Sequence, residues 1–402
     1  MNKNMRLESD SIGTMNVPED AYYGVQALRA KNNFPITGTP VNSTFIYNLA
    51  KIKRAAAITN RNAGKLKPEI AGAIESACNE VICGMFDCEF IVDGIQGGAG
   101  TSANMNMNEV VANRAIEILC GRKGDYSIVH PNDHVNMAQS TNDVIPTAGK
   151  LTVLDLLKPL DKTLSRLEKA LYDKSKEFDH IVKIGRTQLE DAVPMRLGQT
   201  FHSYASMITR DRDRLKQVRT EMYTVNMGAT AVGTGINTSS YYFDHIVPTL
   251  AHITGYPLTQ ASDLFDATEN LDSFVRISSC LKACAVNLSK MCNDLRLLAS
   301  GPKAGLGEIT LPAMQNGSSI MPGKVNPVIP EVVSQVAFHI IGHDTTITMA
   351  AEAGQMELNA FEPVIFYNLF DSLITLTHAV TTLTDNCILG ITANEKRCND
   401  LL

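Results

Sequence analysis

Apolar positions in the second half of the chain recur at steps of three and four. Val153, Leu157, Leu160, Leu164, Leu167 and Leu171 form one series. Leu271, Phe274, Ser278, Leu281, Ala285, Leu288, Cys292 and Leu295 form another. On a helix this spacing lays a single apolar stripe along one face and favours packing at a shallow crossing angle. The segment from Ile365 to Leu383 continues the theme, and strand-like alternation is scarce throughout this half. The pattern predicts a mainly α protein, a bundle of long helices preceded by a mixed, mostly helical N-terminal part. Pro159 falls inside the first series and predicts a kink there.

The first half is more broken. The opening forty residues are polar, are interrupted by Gly13, Pro18, Gly24 and Pro35, and read as an irregular lead-in. Helical patterns follow over residues 44–63 and 68–83, stopped by Gly64 and Gly84. A third helix is expected after the glycine-rich GGAGTSANMN, with Thr101 or Ser102 as its cap and Gly121 at its end. The closing residues TANEKRCNDLL read as the beginning of another element.

Composition narrows the function. The chain has 402 residues, a net charge of −6 and a pI near 5.9, which argues against a nucleic-acid binder. Tryptophan is absent and aromatics are few, so base-stacking platforms are not expected. The nine cysteines include no CxxC pair, and reduced thiols are the simplest reading. The N-terminal MNKNMRLESD has no apolar core of the kind a signal peptide needs, and no apolar run is expected to span a bilayer. A cytoplasmic location is the expectation.

Four polar breaks carry the candidate chemistry: GAGTSANMN (98–106), QSTNDVIPT (139–147), GRTQLEDAVP (185–194) and GSSIMPGKVNP (317–327). The first three stand at or just before an expected helix start, where free N–H groups and the positive end of the dipole favour anions. Helix capping alone would explain any single one. Brought together, they would make a pocket of neutral donors with one cation, Lys324, suited to a small di-acid. A reaction that removes a proton beside a carboxylate would spread charge into it, leaving two negative oxygens on one carbon. Preorganised donors stabilise such a species, with Thr101, Ser140 and Thr141 as candidates. A serine acts as the base only as an alkoxide, which nearby N–H groups and an ammonium would favour. The glycines around Ser318 would let its loop close and exclude water.

The loop GSSIMPGKVNP resembles the signature of the aspartase/fumarase superfamily. The likeness extends through GTSANMNMNEVVANRA, QSTNDVIPT, IGRTQLEDAVPMRLGQ and NMGATAVGTGIN, in family order and over nearly the whole chain. It implies a three-domain fold: residues 1–140 as a mostly helical N-terminal domain, 141–393 as a central helical bundle, and 394–402 as the start of a small C-terminal domain running past Leu402. It also implies a homotetramer whose bundles pack into one multi-helix core, with each active site shared by three subunits. The family's reaction is anti elimination from a succinyl group to give fumarate. GAGTSANMN, QSTND and the Thr187-Gln188 pair lean to the branch that releases ammonia from L-aspartate. The alternative is the branch that hydrates fumarate to L-malate, and a catalytically silent relative is a third possibility.

Carried over residue by residue, the resemblance makes Ser318 the alkoxide that takes the C3 proton. It puts Thr101, Ser140, Thr141 and Ser319 on the β-carboxylate and the aci-carboxylate that develops from it. Lys324 and Asn326 would hold the α-carboxylate. Asn142, Thr187 and Gln188 would contact the leaving amine. No organic cofactor and no metal ligand is implied, although divalent metal activates some members. Arg29 matches a family position near the site, with a surface ion pair as the equal alternative.

Other signals weigh less. His339 and His343 stand four apart in HIIGH, but Ile340 fills the place where a zinc protease needs glutamate, and an interhelix or surface role is expected. His130 and His134, in HPNDHVN, resemble a secondary anion-binding stretch of the family's fumarases, yet a structural turn is preferred. Cys280 and Cys284 read as buried thiols. The GTG of VGTGIN lacks both a third glycine and a preceding strand, so it does not read as a dinucleotide loop; the resemblance places it near the active site, with Asn237 in support.

Overall fold

A computed structural model of the chain describes residues 4–402 apart from 318 and 322. In chain order the strands are β1 (Met5–Ser9), β2 (Thr14–Pro18), β3 (Val182–Thr187), β4 (Glu190–Arg196), β5 (Thr224–Val225), β6 (Thr259–Gln260), β7 (Ile309–Thr310) and β8 (Thr392–Ala393). The helices are α1 (Val25–Asn33), α2 (Ser43–Asn62), α3 (Pro68–Ile82), α4 (Thr101–Ile118), α5 (Thr141–Glu177), α6 (Leu197–Val218), α7 (Ser240–Thr254), α8 (Asp266–Glu269), α9 (Asp272–Leu298), α10 (Val328–Glu352), α11 (Glu362–Asn386) and α12 (Glu395–Asp400). The mainly α class stands. The strands form four two-stranded ribbons, of which β5–β6 is parallel and the others antiparallel.

Both apolar series fold as predicted. Every position of the two series, from Val153 to Leu171 on α5 and from Leu271 to Leu295 at α9, is buried. α5 runs unbroken through Pro159. Four expectations need correction. The lead-in is not irregular: β1 and β2 pair across a tight turn, and α1 follows. GRTQLEDAVP is not a simple break before a helix, because most of it lies in the β3–β4 hairpin. The residue capping α4 is Gly100, so neither Thr101 nor Ser102 occupies the cap. Finally, α11 is long and apolar enough to cross a membrane; just over half of its apolar window is buried, which fits a core helix equally well.

The chain divides into two compact units. The first comprises residues 1–155, 220–275 and 346–370, and the second 156–219, 276–345 and 371–402. In the first, α2 packs on α3 and α7, and α4 packs on α1 and α3. Leu49, Ile52, Ile74, Met107, Ile116, Ile145 and Leu151 lie wholly inside it. The start of α1 shows why the lead-in was hard to read. Its free N–H groups are satisfied by two buried carboxylates from elsewhere: Glu109 accepts from Gly24, Gln26 and Ala27, and Glu8 accepts from Val25. A side chain at Gly24 would come within 2.6 Å of the Glu8 carboxylate, so glycine alone fits there. In the second unit, α6 follows β4 directly, and α12 packs against β3.

Candidate active site

Residues Gly98, Ala99 and Gly100 all adopt left-handed backbone, with φ of 80°, 54° and 86°, and they aim the start of α4. A Cβ at Gly100 would lie 2.9 Å from Ile145, so α4 and α5 approach closely there because no side chain intervenes. Thr101 is therefore the first helical residue, and its hydroxyl is not used to cap the helix. Instead its Oγ1 donates to Oγ1 of Thr141, 3.3 Å away at the start of α5. Asn104, about one turn further along α4, points its Nδ2 at the same threonine oxygen at 3.4 Å.

Ser140 does cap α5. Its Oγ accepts from the Asn142 N–H at 3.2 Å, while its own N–H donates to Oδ1 of Asp143 at 2.9 Å, a reciprocal arrangement in the manner of a capping box. The other Asp143 oxygen accepts from the N–H groups of Gly228 and Thr230. Asn142 donates to the Ala231 carbonyl at 2.6 Å, and Asn226 donates back to the Asn142 carbonyl at 3.0 Å. The loop NMGATAVGTGIN is thus fastened to the start of α5. Asn237 holds left-handed backbone within it, at φ 64°.

Behind the two threonines lies a residue that sequence reasoning missed. Lys53, on α2, is wholly buried. Its Nζ donates to Oδ1 of Asn104 at 2.7 Å, Oδ1 of Asn136 at 2.8 Å and Oε1 of Gln139 at 2.9 Å. Burial pulls this amine down to about 7 and pushes the Asp143 carboxyl up to about 7. The hydrogen bonds oppose both shifts. Three acceptors are filled only by an ammonium, and the three N–H donors around Asp143 match a carboxylate. The geometry therefore holds both groups charged. No periodic or motif signal marked Lys53, because a lysine within an amphipathic helix reads as a solvent-facing residue.

In the second unit, Thr187 and Gln188 stand at the tip of the β3–β4 hairpin. Thr187 pairs with Glu190, so the turn is Gln188-Leu189, with φ of 55° and 68°. Two successive left-handed residues define a type I′ turn, normally built from asparagine or glycine. Strand β3 is held along its length by Glu308, which is wholly buried and meets Arg186 at 2.9 Å and Lys183 at 3.3 Å. Ser319 and Lys324 are exposed and Asn326 half-buried on the loop that leads into α10. Ser318, expected as the base, lies outside the described residues.

The remaining signals resolve toward structure. Arg29 forms a bidentate pair with Asp10. His130 accepts from the N–H groups of Asn132 and Asp133, and His134 accepts from the N–H of His130, so both histidines hold their own turn. Cys284 is buried and Cys280 half-buried.

A family model described as "Lyase" matches residues 13–342. The chain is 52% identical over 400 residues to an aspartate ammonia-lyase of a Bacillus species, spanning 100% of this chain and 86% of that one. Among solved structures, a Brucella melitensis protein described as fumarate lyase:delta crystallin, bound to cobalt, superposes with a TM-score of 0.98 at 49% identity, covering 99% of this chain and 87% of the other. A class II fumarase from Schistosoma mansoni follows at 0.95 and 36%, with coverage of 99% and 87%. A match of this length and identity leaves one assignment: the chain belongs to the lyase family that these enzymes share, the aspartase/fumarase superfamily.

Proposed function

We propose that this protein is an aspartate ammonia-lyase, converting L-aspartate reversibly to fumarate and ammonia without an organic cofactor. The observation that carries the reading is the pair of threonine hydroxyls, Thr101 and Thr141, 3.3 Å apart and backed by a buried ammonium through Asn104. Such a pair suits a carboxylate whose two oxygens both become negative. The alkoxide of Ser318 takes the C3 proton, and the C–H electrons move into the β-carboxylate as an aci-carboxylate. That electron pair returns to form the C2–C3 double bond as the C2–N bond breaks. The nitrogen leaves as ammonia with the bonding pair, having entered as an ammonium. Lys324 and Asn326 hold the α-carboxylate, Ser140 and Ser319 complete the β-carboxylate pocket, and Asn142, Thr187 and Gln188 surround the amine.

The reading includes a homotetramer with each site assembled from three subunits. Phe338 on α10 and Val286 on α9 are large apolar side chains 64% and 48% exposed in the single chain, which suits such burial. Likeness to the fumarase keeps hydration of fumarate as the second reading. One assay separates the two: fumarate absorbance rises with L-aspartate and stays flat with L-malate. Formation of fumarate from L-malate alone would overturn the assignment.

A further inference from the structure

We propose that His339, His343 and Asp371 form a binding site for a late first-row divalent metal ion that clamps α10 to α11. The sequence offered only the two histidines, one helical turn apart. The structure adds the third group from a different helix. Nε2 of His339 lies 2.7 Å from Oδ2 of Asp371, and Nδ1 of His343 lies 3.8 Å from the same oxygen. One ligand atom from each of the three residues falls within 4.8 Å of the other two, and the imidazole rings are 3.9 Å apart, centroid to centroid. A tetrahedral ion with bonds of about 2.0–2.2 Å would place its ligands a little over 3 Å apart, so small side-chain rotations suffice.

The donor set selects the ion. Two imidazoles and one carboxylate suit Zn²⁺, Co²⁺ or Ni²⁺, whereas Mg²⁺ and Ca²⁺ prefer oxygen alone. In the single chain His339 and Asp371 have 50% and 42% side-chain exposure, which leaves room for a fourth ligand on the ion. His343 is 14% exposed, and its Nδ1, now 3.0 Å from the Ser372 hydroxyl, gives up that hydrogen bond when it ligates the ion. Binding requires the lone pair on Nε2 of His339, so the proton now shared with Asp371 moves to Nδ1. Ile340 stands where a hydrolytic zinc helix carries its general base, so the ion's role is to join helices. The proposal uses none of the threonine-pair residues and holds whichever substrate the enzyme takes.

The test uses the full chain, stripped of metal by a chelator, dialysed and titrated with Co²⁺ alone. The wild type is expected to bind about one Co²⁺ per chain at micromolar concentration, with the visible ligand-field bands of a low-coordinate site, and to gain thermal stability on adding Zn²⁺. His339→Ala, His343→Ala and Asp371→Asn should each weaken Co²⁺ binding about tenfold or more and abolish the Zn²⁺ shift. His339→Gln, which keeps an amide toward Asp371, serves if the alanine variant fails to fold. Wild-type affinity in the variants, or binding only at millimolar Co²⁺, would overturn the site.

Discussion

The ammonium of Lys53 lies 2.7 Å from Oδ1 of Asn104, and through that amide it fixes the donor that reaches Thr141. Methionine at position 53 would keep the length and the apolar stem while removing all three N–H donors. Stability should fall by about 2–4 kcal/mol, because three amide oxygens lose their buried donor and the Asp143 carboxylate loses its cation. The misplaced donors should also lower kcat/KM about 100-fold. Chemical denaturation beside steady-state kinetics on Lys53→Met measures both, and an unchanged kcat/KM would leave Lys53 a packing role only.

Thr101→Val and Thr141→Val each remove a hydroxyl while keeping the shape. Each should lower kcat by about 10²–10³, with a smaller effect on KM, since the donors act on charge that develops during the reaction. The two hydroxyls touch, so the double variant should fall short of the product of the single losses. A change confined to KM would assign them to ground-state binding.

Ser318→Ala should bring turnover with L-aspartate to background while its elution on size-exclusion chromatography matches that of the wild type. Sustained activity would require another base.

How legible was all this in the chain? The long helices were plain, because buried stripes at Leu157–Leu171 and Leu281–Leu295 are set by local periodicity. The polar breaks were visible too, and two of them meet where Thr101 donates to Thr141, with the 226–237 loop tied to Asn142. What stayed hidden depends on long-range partners. The Glu109 carboxylate that caps α1 lies more than eighty residues away along the chain, and the Lys53 amides come from two other segments. The β3–β4 turn was missed because Gln-Leu is not a sequence that advertises left-handed backbone.

Glu109 gives a pH signature. Burial raises its carboxyl from 4.5 to about 7 against three backbone donors, and its charged neighbour is the Glu8 carboxylate, whereas Asp143 has the Lys53 ammonium to oppose burial. A group raised on folding contributes most below its unfolded value, and that contribution disappears as pH climbs through the folded one. Relative to Glu109→Gln, the wild type should therefore lose as much as about 3 kcal/mol of unfolding free energy between pH 4.5 and 7. Parallel denaturation curves across that range check it, and a pH-independent difference would show that the carboxyl titrates normally.

The thiols should divide by burial. Burial pushes Cys78 and Cys387 up to about 12, so little thiolate forms at mild pH. A chromogenic disulfide reagent at pH 8 should react promptly with Cys83, Cys88 and Cys120, which are exposed, and reach Cys78, Cys284, Cys292, Cys387 and Cys398 only after unfolding. Prompt labelling of the latter group would indicate local opening.

An asparagine–glycine pair at the tip of the β3–β4 hairpin would fold with less frustration than Gln188-Leu189, and a design program would choose it. It would also erase the long amide that the tip presents. Local disharmony of this kind tends to gather where a protein handles its substrate. Making this hairpin more ideal should therefore yield a sturdier molecule with a blunted instrument.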